Sequence, residues 1–246
     1  MLPAPRRMAR HRFPMLGILS LDTHFPRIPG DVGAIGTFAF PVRVAIVEGA
    51  SVDAIVHCRD DALLARFVEA AKSLAASGCL GIATTCGFLV RWQHELALAV
   101  GIPVFTSVLL QLPLLARCLA PGRAIGVVTY SAPDLDRAAF TAAGANADTL
   151  VEGVAPDGYF ARTIRHGSPH LDRARMAADV VAAGQRLVAR HPDLGAIVLE
   201  CANMPPYRDD LARACGLPVF DAAQAVTWFY GGLAATASRN GRGDLW

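Results

Sequence analysis

Residues 81–88, GIATTCGF, and residues 196–203, AIVLECAN, share one pattern: an apolar run ends in a polar residue and then a cysteine. A glycine stands fifteen residues after each cysteine, at Gly101 and Gly216, and an apolar-Pro-Val-Phe sequence follows each glycine. Repetition on this scale indicates a duplicated structural unit. The two stretches therefore predict two related halves, each with a cysteine at the end of a buried strand.

The rest of the chain alternates short apolar runs with longer amphipathic runs, which is typical of strand and helix units around a parallel sheet. The predicted strands are Met15 to Leu21, Arg43 to Val47, Leu80 to Thr85, Val104 to Thr106, Ala124 to Thr129, Ala196 to Glu200 and Val219 to Asp221. The predicted helices are Asp60 to Ser77, Phe88 to Val100, Ser107 to Leu119, Pro133 to Ala143, Leu171 to Arg190, Pro206 to Cys215 and Ala222 to Ser238. The fold class is therefore α/β, with two pseudo-symmetric lobes, each a mainly parallel sheet flanked by helices, and an active site in the cleft between them.

The repeat also predicts the domain organisation. The first lobe is expected at 13–120 and the second at 121–238. Four arginines lie in residues 1–12, which we expect to form a basic, disordered arm, and residues 239–246 are expected to form a tail.

Composition excludes several classes of protein. Of 246 residues, 53% are hydrophobic and 18% are charged, which is typical of a soluble globular chain. The net charge is +2, and the four arginines of the arm account for +4, so the main body is near −2 and nucleic acid is not an expected partner. The sequence has no run of ~20 apolar residues, so no membrane span is expected. Six cysteines without a CxxC pair indicate reduced thiols and a cytoplasmic protein.

Cys86 and Cys201 are the candidate reactive residues. Ligands of open α/β sheets bind at the carboxyl ends of the strands, where both cysteines are predicted to lie. The helix start after each cysteine favours a thiolate, so we expect lowered thiol pKa values. Two thiols facing each other across a cleft suit a 1,1-proton transfer, in which one removes a proton from a carbon acid and the other returns one to the opposite face. This chemistry needs neither a metal nor another cofactor.

With these motifs and the repeated lobes, the sequence from Phe13 to Ser238 resembles the cofactor-independent aspartate/glutamate/hydantoin racemase superfamily. The residues that carry the resemblance are 84–88, TTCGF, and 200–207, ECANMPPY. The resemblance implies that the two cysteines are the catalytic pair. It also implies substrate-binding roles for their neighbours Thr85, Gly87 and Asn203.

Other residues are weaker candidates for the same crevice. Asp22 follows the first strand, and Tyr130 and Ser131 follow its repeat partner, so all three are predicted to bind substrate. The Gly- and Pro-rich stretch 22–41 forms either a mobile lid over the cleft or an ordered surface connection. A second carboxylate of the substrate would suit Arg27 or Arg43.

The resemblance implies an isomerase: an amino-acid racemase or epimerase that works without pyridoxal phosphate. Glutamate and aspartate racemases usually carry other residues where this chain has Gly87-Phe88 and Ala202-Asn203, so the substrate side chain stays open. The alternatives are a single-cysteine decarboxylase or cis-trans isomerase of the same superfamily, and a non-catalytic small-molecule binder. The expected partner is a small carboxylate, and a homodimer is left open.

Overall fold

The computed structural model describes residues 14–240, so the basic arm and most of the tail lie outside the described residues. Eight strands form two four-stranded sheets. The first sheet contains β1 (Leu16–Leu21), β2 (Val42–Val47), β3 (Gly81–Thr84) and β4 (Val104–Phe105). The second contains β5 (Ala124–Thr129), β6 (Leu150–Gly153), β7 (Leu194–Leu199) and β8 (Val219–Asp221).

The two sheets have the same strand order. It is β2-β1-β3-β4 in the first sheet and β6-β5-β7-β8 in the second, and every pair is parallel. The inner strands β1, β3, β5 and β7 are almost wholly buried, as their continuous apolar runs predict. The predicted α/β class with two related parallel sheets is confirmed.

In the described part of the chain, eight α-helices surround the sheets. They are α1 (Leu64–Ala76), α2 (Gln93–Val100), α3 (Leu112–Cys118), α4 (Arg137–Ala142), α5 (Tyr159–His166), α6 (Arg173–Arg190), α7 (Arg208–Cys215) and α8 (Ala222–Asn240). Gly101 and Gly216 end α2 and α7 in the left-handed conformation, each with φ of 66°. Within residues 14–240, no helix is long and apolar enough to cross a membrane.

Two elements differ from the sequence prediction. Strand β6 and helix α5 were not predicted, and both lie in the second half. A 3-10 turn precedes the α-helix after each cysteine: Gly87–Trp92 follows Cys86 directly, and Pro205–Tyr207 begins four residues after Cys201. The α-helices therefore begin five residues after the predicted start at Phe88 and two residues after the predicted start at Pro206.

The last helix of each half packs against the sheet of the other half. Helix α8 covers β3, where a Cβ on Gly81 would stand 2.5 Å from the Leu233 side chain. Helix α3 packs on β5, and Leu119 at its end lies beside Gly195. This exchange joins the two sheets and places their carboxyl ends around one cleft.

Candidate active site

The two strand ends have matching backbone geometry. In the first lobe the amide of Thr85 donates to the carbonyl of Leu19 at 2.9 Å, and in the second the amide of Glu200 donates to the carbonyl of Val128 at 2.9 Å. The amide three residues after each cysteine then donates to the cysteine carbonyl, at 3.2 Å and 3.0 Å respectively. The repeat in the sequence therefore corresponds to a repeat in hydrogen bonding.

Both cysteines line the same cavity between the lobes. Its walls are formed by Leu21, Thr23, Phe25, Arg27, Val52, Val56, Thr85, Cys86, Gly87, Phe88, Tyr130, Ile164, Glu200, Cys201 and Asn203. The empty space between the walls, including the part open to solvent at the mouth, is about 390 Å³. The volume that the centre of a water-sized molecule can occupy is only about 30 Å³. The cavity is thus narrow, and most of its lining is apolar or aromatic.

The structure brings four of the six predicted substrate-binding residues to this cavity: Thr85, Gly87, Asn203 and Tyr130. It does not bring the other two. Asp22 accepts a hydrogen bond from the amide of Gly49 at 3.1 Å, and Ser131 donates to Asp134 at 2.5 Å in a neighbouring surface depression. Their positions after β1 and β5 place them at the cleft edge, but their side chains bind locally.

Thr85 and Asn203 both use their polar atoms within the protein. The Thr85 hydroxyl accepts from the amide of Leu21 at 3.1 Å. The Asn203 amide donates to Asp31 at 2.8 Å, and its oxygen accepts from the Cys201 thiol at 3.5 Å. Asn203 therefore orients Cys201 in this structure.

In this structure the stretch 22–41 packs against the second lobe's half of the cleft. The amide of Val32 donates to the carbonyl of Ala202 at 3.1 Å, directly beside Cys201. Asp31 accepts from Arg27 at 2.7 Å as well as from Asn203. Arg27 belongs to the same stretch, so the stretch both covers part of the cavity and places a positive charge in its wall.

Of the two arginine candidates, only Arg27 reaches the cavity. Its guanidinium lies 4.7 Å from the centre of the Phe25 ring and also donates to Thr23 at 2.9 Å. Arg43 lies exposed on β2, at the edge of the first sheet.

Sequence reasoning missed much of the apolar wall. Val52 and Val56 come from an irregular segment around a π-helical turn at Asp53–His57, and Ile164 comes from α5. No periodic signal marks either segment as part of a site. Phe88 is different, because its position two residues after Cys86 indicates that it lies near the site.

The expectation of lowered thiol pKa values is wrong. Burial and the nearby Glu200 carboxyl raise the pKa of Cys86 to about 12. The same two causes raise the pKa of Cys201 well above that of a free thiol. Amide donors after each cysteine, such as that of Phe88, lower the pKa as the sequence predicts, but their effect is smaller than that of burial.

Glu200 is itself perturbed. Its side chain is 1% exposed, and burial raises its pKa to about 7, against the opposing effect of a hydrogen bond from Thr129. At neutral pH this carboxyl is therefore present in both protonation states. The sequence pattern marks Glu200 only as the end of a predicted strand.

Solved structures of known enzymes share this fold. A glycine-to-cysteine mutant of arylmalonate decarboxylase is 19% identical with a TM-score of 0.62, covering 90% of this chain and 94% of that chain. An aspartate racemase homologue from Pyrococcus horikoshii is 13% identical with a TM-score of 0.54 (89% and 98%). A glutamate racemase from Bacillus anthracis is 12% identical with a TM-score of 0.52 (92% and 84%). The chain therefore has the fold of the aspartate/glutamate racemase superfamily, as the resemblance predicted.

Sequence relatives carry a different name. A dimethylsulfoniopropionate lyase from Durusdinium sp. clade D is 29% identical over 240 residues, covering 94% of this chain and 79% of that protein. Dimethylsulfoniopropionate lyases 5 and 6 from Emiliania huxleyi are 29% and 31% identical, over 91% and 85% of this chain. The chain spans about half the length of these two, 46% and 57%. No protein-family model matches the chain. The activities named for these relatives and neighbours are all enzymatic.

Proposed function

We propose that this chain is a lyase that removes a proton from the carbon next to the carboxylate of a small sulfonium compound such as dimethylsulfoniopropionate. The observation that carries the proposal is the cavity between the lobes, where two thiols meet a lining of apolar and aromatic side chains. The similarity to dimethylsulfoniopropionate lyases supports it, because that similarity extends over 85% to 94% of the chain.

The reaction needs one base and no added reagent. A cavity thiolate takes a proton from the carbon α to the carboxylate, and the electron pair left behind forms a carbon-carbon double bond. The bond from the β-carbon to sulfur breaks, and dimethyl sulfide leaves with the electron pair of this C–S bond. The products are acrylate, dimethyl sulfide and a thiol. Loss of the thiol proton to solvent then regenerates the base.

The lining suits a sulfonium cation better than an ammonium group. A dimethylsulfonium group has no N–H donor, and it is attracted to the face of an aromatic ring, which Phe88 supplies in the lining. An α-ammonium needs hydrogen-bond acceptors. In the part of the chain that the structure describes, Glu200 is the only carboxyl among the lining residues, and its raised pKa weakens it as a partner.

The opposite end of the substrate is a carboxylate, which Arg27 is placed to bind. Its guanidinium is mostly buried at the cavity wall. Tyr130 is a second donor, because burial raises its pKa and keeps the hydroxyl protonated. Donors at this position also stabilise the negative charge that develops on the carboxylate as the α-proton leaves.

The charge of the substrate also helps to form the base. Both thiols have raised pKa values in the ligand-free cavity, so the thiolate is a minor species there. A sulfonium cation bound in the same cavity favours the thiolate, because opposite charges within a few ångströms lower a thiol pKa. A cationic substrate thus activates the residue that attacks it.

Racemisation or epimerisation of an amino acid is the second candidate. It is favoured by one observation, the second cysteine at the equivalent strand end, because inversion uses two groups on opposite faces and elimination uses one. Either reaction begins with loss of the α-proton. The two candidates therefore share the base and differ in whether the resulting carbanion expels a leaving group or takes up a proton on its other face.

A product assay distinguishes these candidates. The purified protein is incubated in deuterium oxide with dimethylsulfoniopropionate, a panel of amino acids and an arylmalonate, and products are followed by gas chromatography and proton NMR. We expect dimethyl sulfide and acrylate in equal amounts from the first compound. Exchange with inversion of an amino acid, without dimethyl sulfide, would replace the lyase by a racemase. Carbon dioxide release alone would indicate a decarboxylase, and no reaction with any compound a binder.

A further inference from the structure

Glu200 is a buried acid at the point where the two lobes meet. It directly precedes Cys201 in the second lobe, yet its carboxyl lies against the residue that follows Cys86 in the first lobe. A Cβ on Gly87 would stand 2.0 Å from Oε1 of Glu200. The carboxyl therefore lies at the back of the cavity, next to the chain segments that carry both thiols.

Only one oxygen of this carboxyl has a partner. The hydroxyl of Thr129, itself fully buried, donates to Oε2 at 2.7 Å. Oε1 is buried and accepts no hydrogen bond from the residues that the structure describes. A charged carboxylate in that setting is unfavourable, whereas the protonated form is neutral and still accepts from Thr129.

The pKa of Glu200 is shifted by burial and by the hydrogen bond from Thr129. The charged groups that act on the two neighbouring thiols are Arg91 at Cys86 and Asp31 at Cys201. Arg27 lies farther along the same cavity wall. The remaining face of Glu200 borders a smaller cavity, whose other described lining residues carry no charged side chain.

Charge on Glu200 opposes charge on either thiol. Its carboxylate is among the causes that raise the pKa of both cysteines. Two negative charges in this buried cavity are strongly unfavourable, so the three groups titrate as one coupled set.

We propose that Glu200 exchanges a proton with the cavity thiols, so that its carboxyl is protonated whenever one thiol is ionised. The exchange is a net one through solvent, because neither thiol donates to the carboxyl in the described residues: the S–H bond of the thiol breaks and an O–H bond forms on the carboxylate, giving a thiolate and a neutral acid with no change in total charge. This inference deepens the proposed function, because the thiolate is the base of that reaction.

The proposal has a particular consequence for pH. Below about pH 7 the acid is protonated, and the thiolate population rises about tenfold per pH unit, as for any single ionisation. Above about pH 7 the acid itself loses its proton, so further loss from a thiol is opposed and the thiolate population stops rising. Replacing the acid by a neutral isostere removes this limit.

The test compares wild type with Glu200→Gln, which keeps an oxygen for Thr129. For the wild type we expect kcat/KM for dimethyl sulfide release to level off near pH 7. For Glu200→Gln we expect it to keep rising about tenfold per pH unit toward pH 9. Glu152→Gln is the matched control, because Glu152 is also a buried glutamate but lies on β6 beside Arg186. A variant profile that is lower at every pH but has the wild-type shape would overturn the proposal.

A second measurement does not depend on the reaction. The rate of Cys86 and Cys201 alkylation by iodoacetamide, followed by peptide mass spectrometry, should level off near pH 7 in the wild type and continue to rise in Glu200→Gln. Thr129→Val, which removes the one donor to the carboxyl, should move the wild-type plateau to higher pH. Identical alkylation profiles in all three proteins would contradict proton exchange. The expected profiles without dimethyl sulfide release would retain the exchange and reject the lyase.

Discussion

The first lobe ends its central strand with Thr85 and Cys86, and the second ends the equivalent strand with Glu200 and Cys201. Strand order, the last ladder hydrogen bond and the turn after each cysteine agree between the lobes. The side chains do not agree, because Thr85 is held by a backbone amide whereas Glu200 keeps one oxygen unpaired. A duplicated backbone thus supplies two equivalent positions for a thiol, and single residues beside them make the positions unequal.

The charges around the two thiols are unequal as well. Cys86 has the Arg91 guanidinium among its neighbours, and that cation lowers the thiol pKa. Cys201 has Asp31 among its neighbours, and that carboxylate raises it. We therefore infer that Cys86 ionises more readily and is the base in the elimination.

The largest expected effect is on activity, and it differs between the cysteine of the first lobe and the cysteine of the second. Cys86→Ser removes the more readily ionised base and should lower kcat/KM for dimethyl sulfide release by about 100- to 10,000-fold. Cys201→Ser should cause a smaller loss, because elimination needs no acid on the opposite face. Steady-state kinetics on both variants measures the ratio.

Cys58→Ser is the control for this pair, because Cys58 is an exposed free thiol outside the cavity. It should retain wild-type turnover. Equal and severe losses in both cavity variants would contradict the unequal assignment and support the two-base inversion.

The next effect concerns the stretch 22–41, which the first lobe extends over the second. Asp31→Ala leaves the mostly buried Arg27 guanidinium and the Asn203 amide without their shared acceptor. We expect a loss of about 3 kcal/mol in the free energy of unfolding, measured by urea denaturation. Glu69→Ala breaks the exposed pair with Lys72 and should cost no more than about 1 kcal/mol. Equal stabilities of the two variants would show that the loop is not fastened by Asp31.

The smallest effect concerns the residue after each cysteine. Position 202 is alanine, but Gly87 has no room for a Cβ because of Glu200. Gly87→Ala should destabilise the protein by about 1 to 3 kcal/mol, seen as a lower Tm. Gly231→Ala, in α8 with no atom near the added Cβ, should instead stabilise it slightly. A Gly87→Ala protein with unchanged Tm would contradict the close contact between the Glu200 carboxyl and residue 87.

The sequence predicts the strands well because the buried strands are continuous apolar runs. It misses β6, whose four residues include Glu152, a polar residue buried by pairing with Arg186 at 2.9 Å. It misses α5 because eight residues that include Arg162, Arg165 and His166 carry only a short amphipathic signal.

The site is predictable only where local pattern determines it. The predicted strand ends locate both cysteines at the cleft, and the sequence repeat shows that they occupy equivalent positions. The bond from Asn203 to Asp31 joins residues 172 positions apart, so it depends on how the loop folds across the lobes. The thiol pKa direction is wrong from sequence because burial, which opposes the local amides, follows from tertiary packing.

Isotopic labelling tests the central claim, that a cavity thiolate removes the proton α to the carboxylate, most directly. Dimethylsulfoniopropionate deuterated at the α-carbon and the same compound deuterated at the β-carbon are compared by kcat/KM for dimethyl sulfide release. We predict clearly slower release from the α-labelled compound, because its C–D bond breaks in the reaction, and near-normal release from the β-labelled one. Equal rates for the α-labelled and unlabelled compounds, or no release from either, would contradict the account.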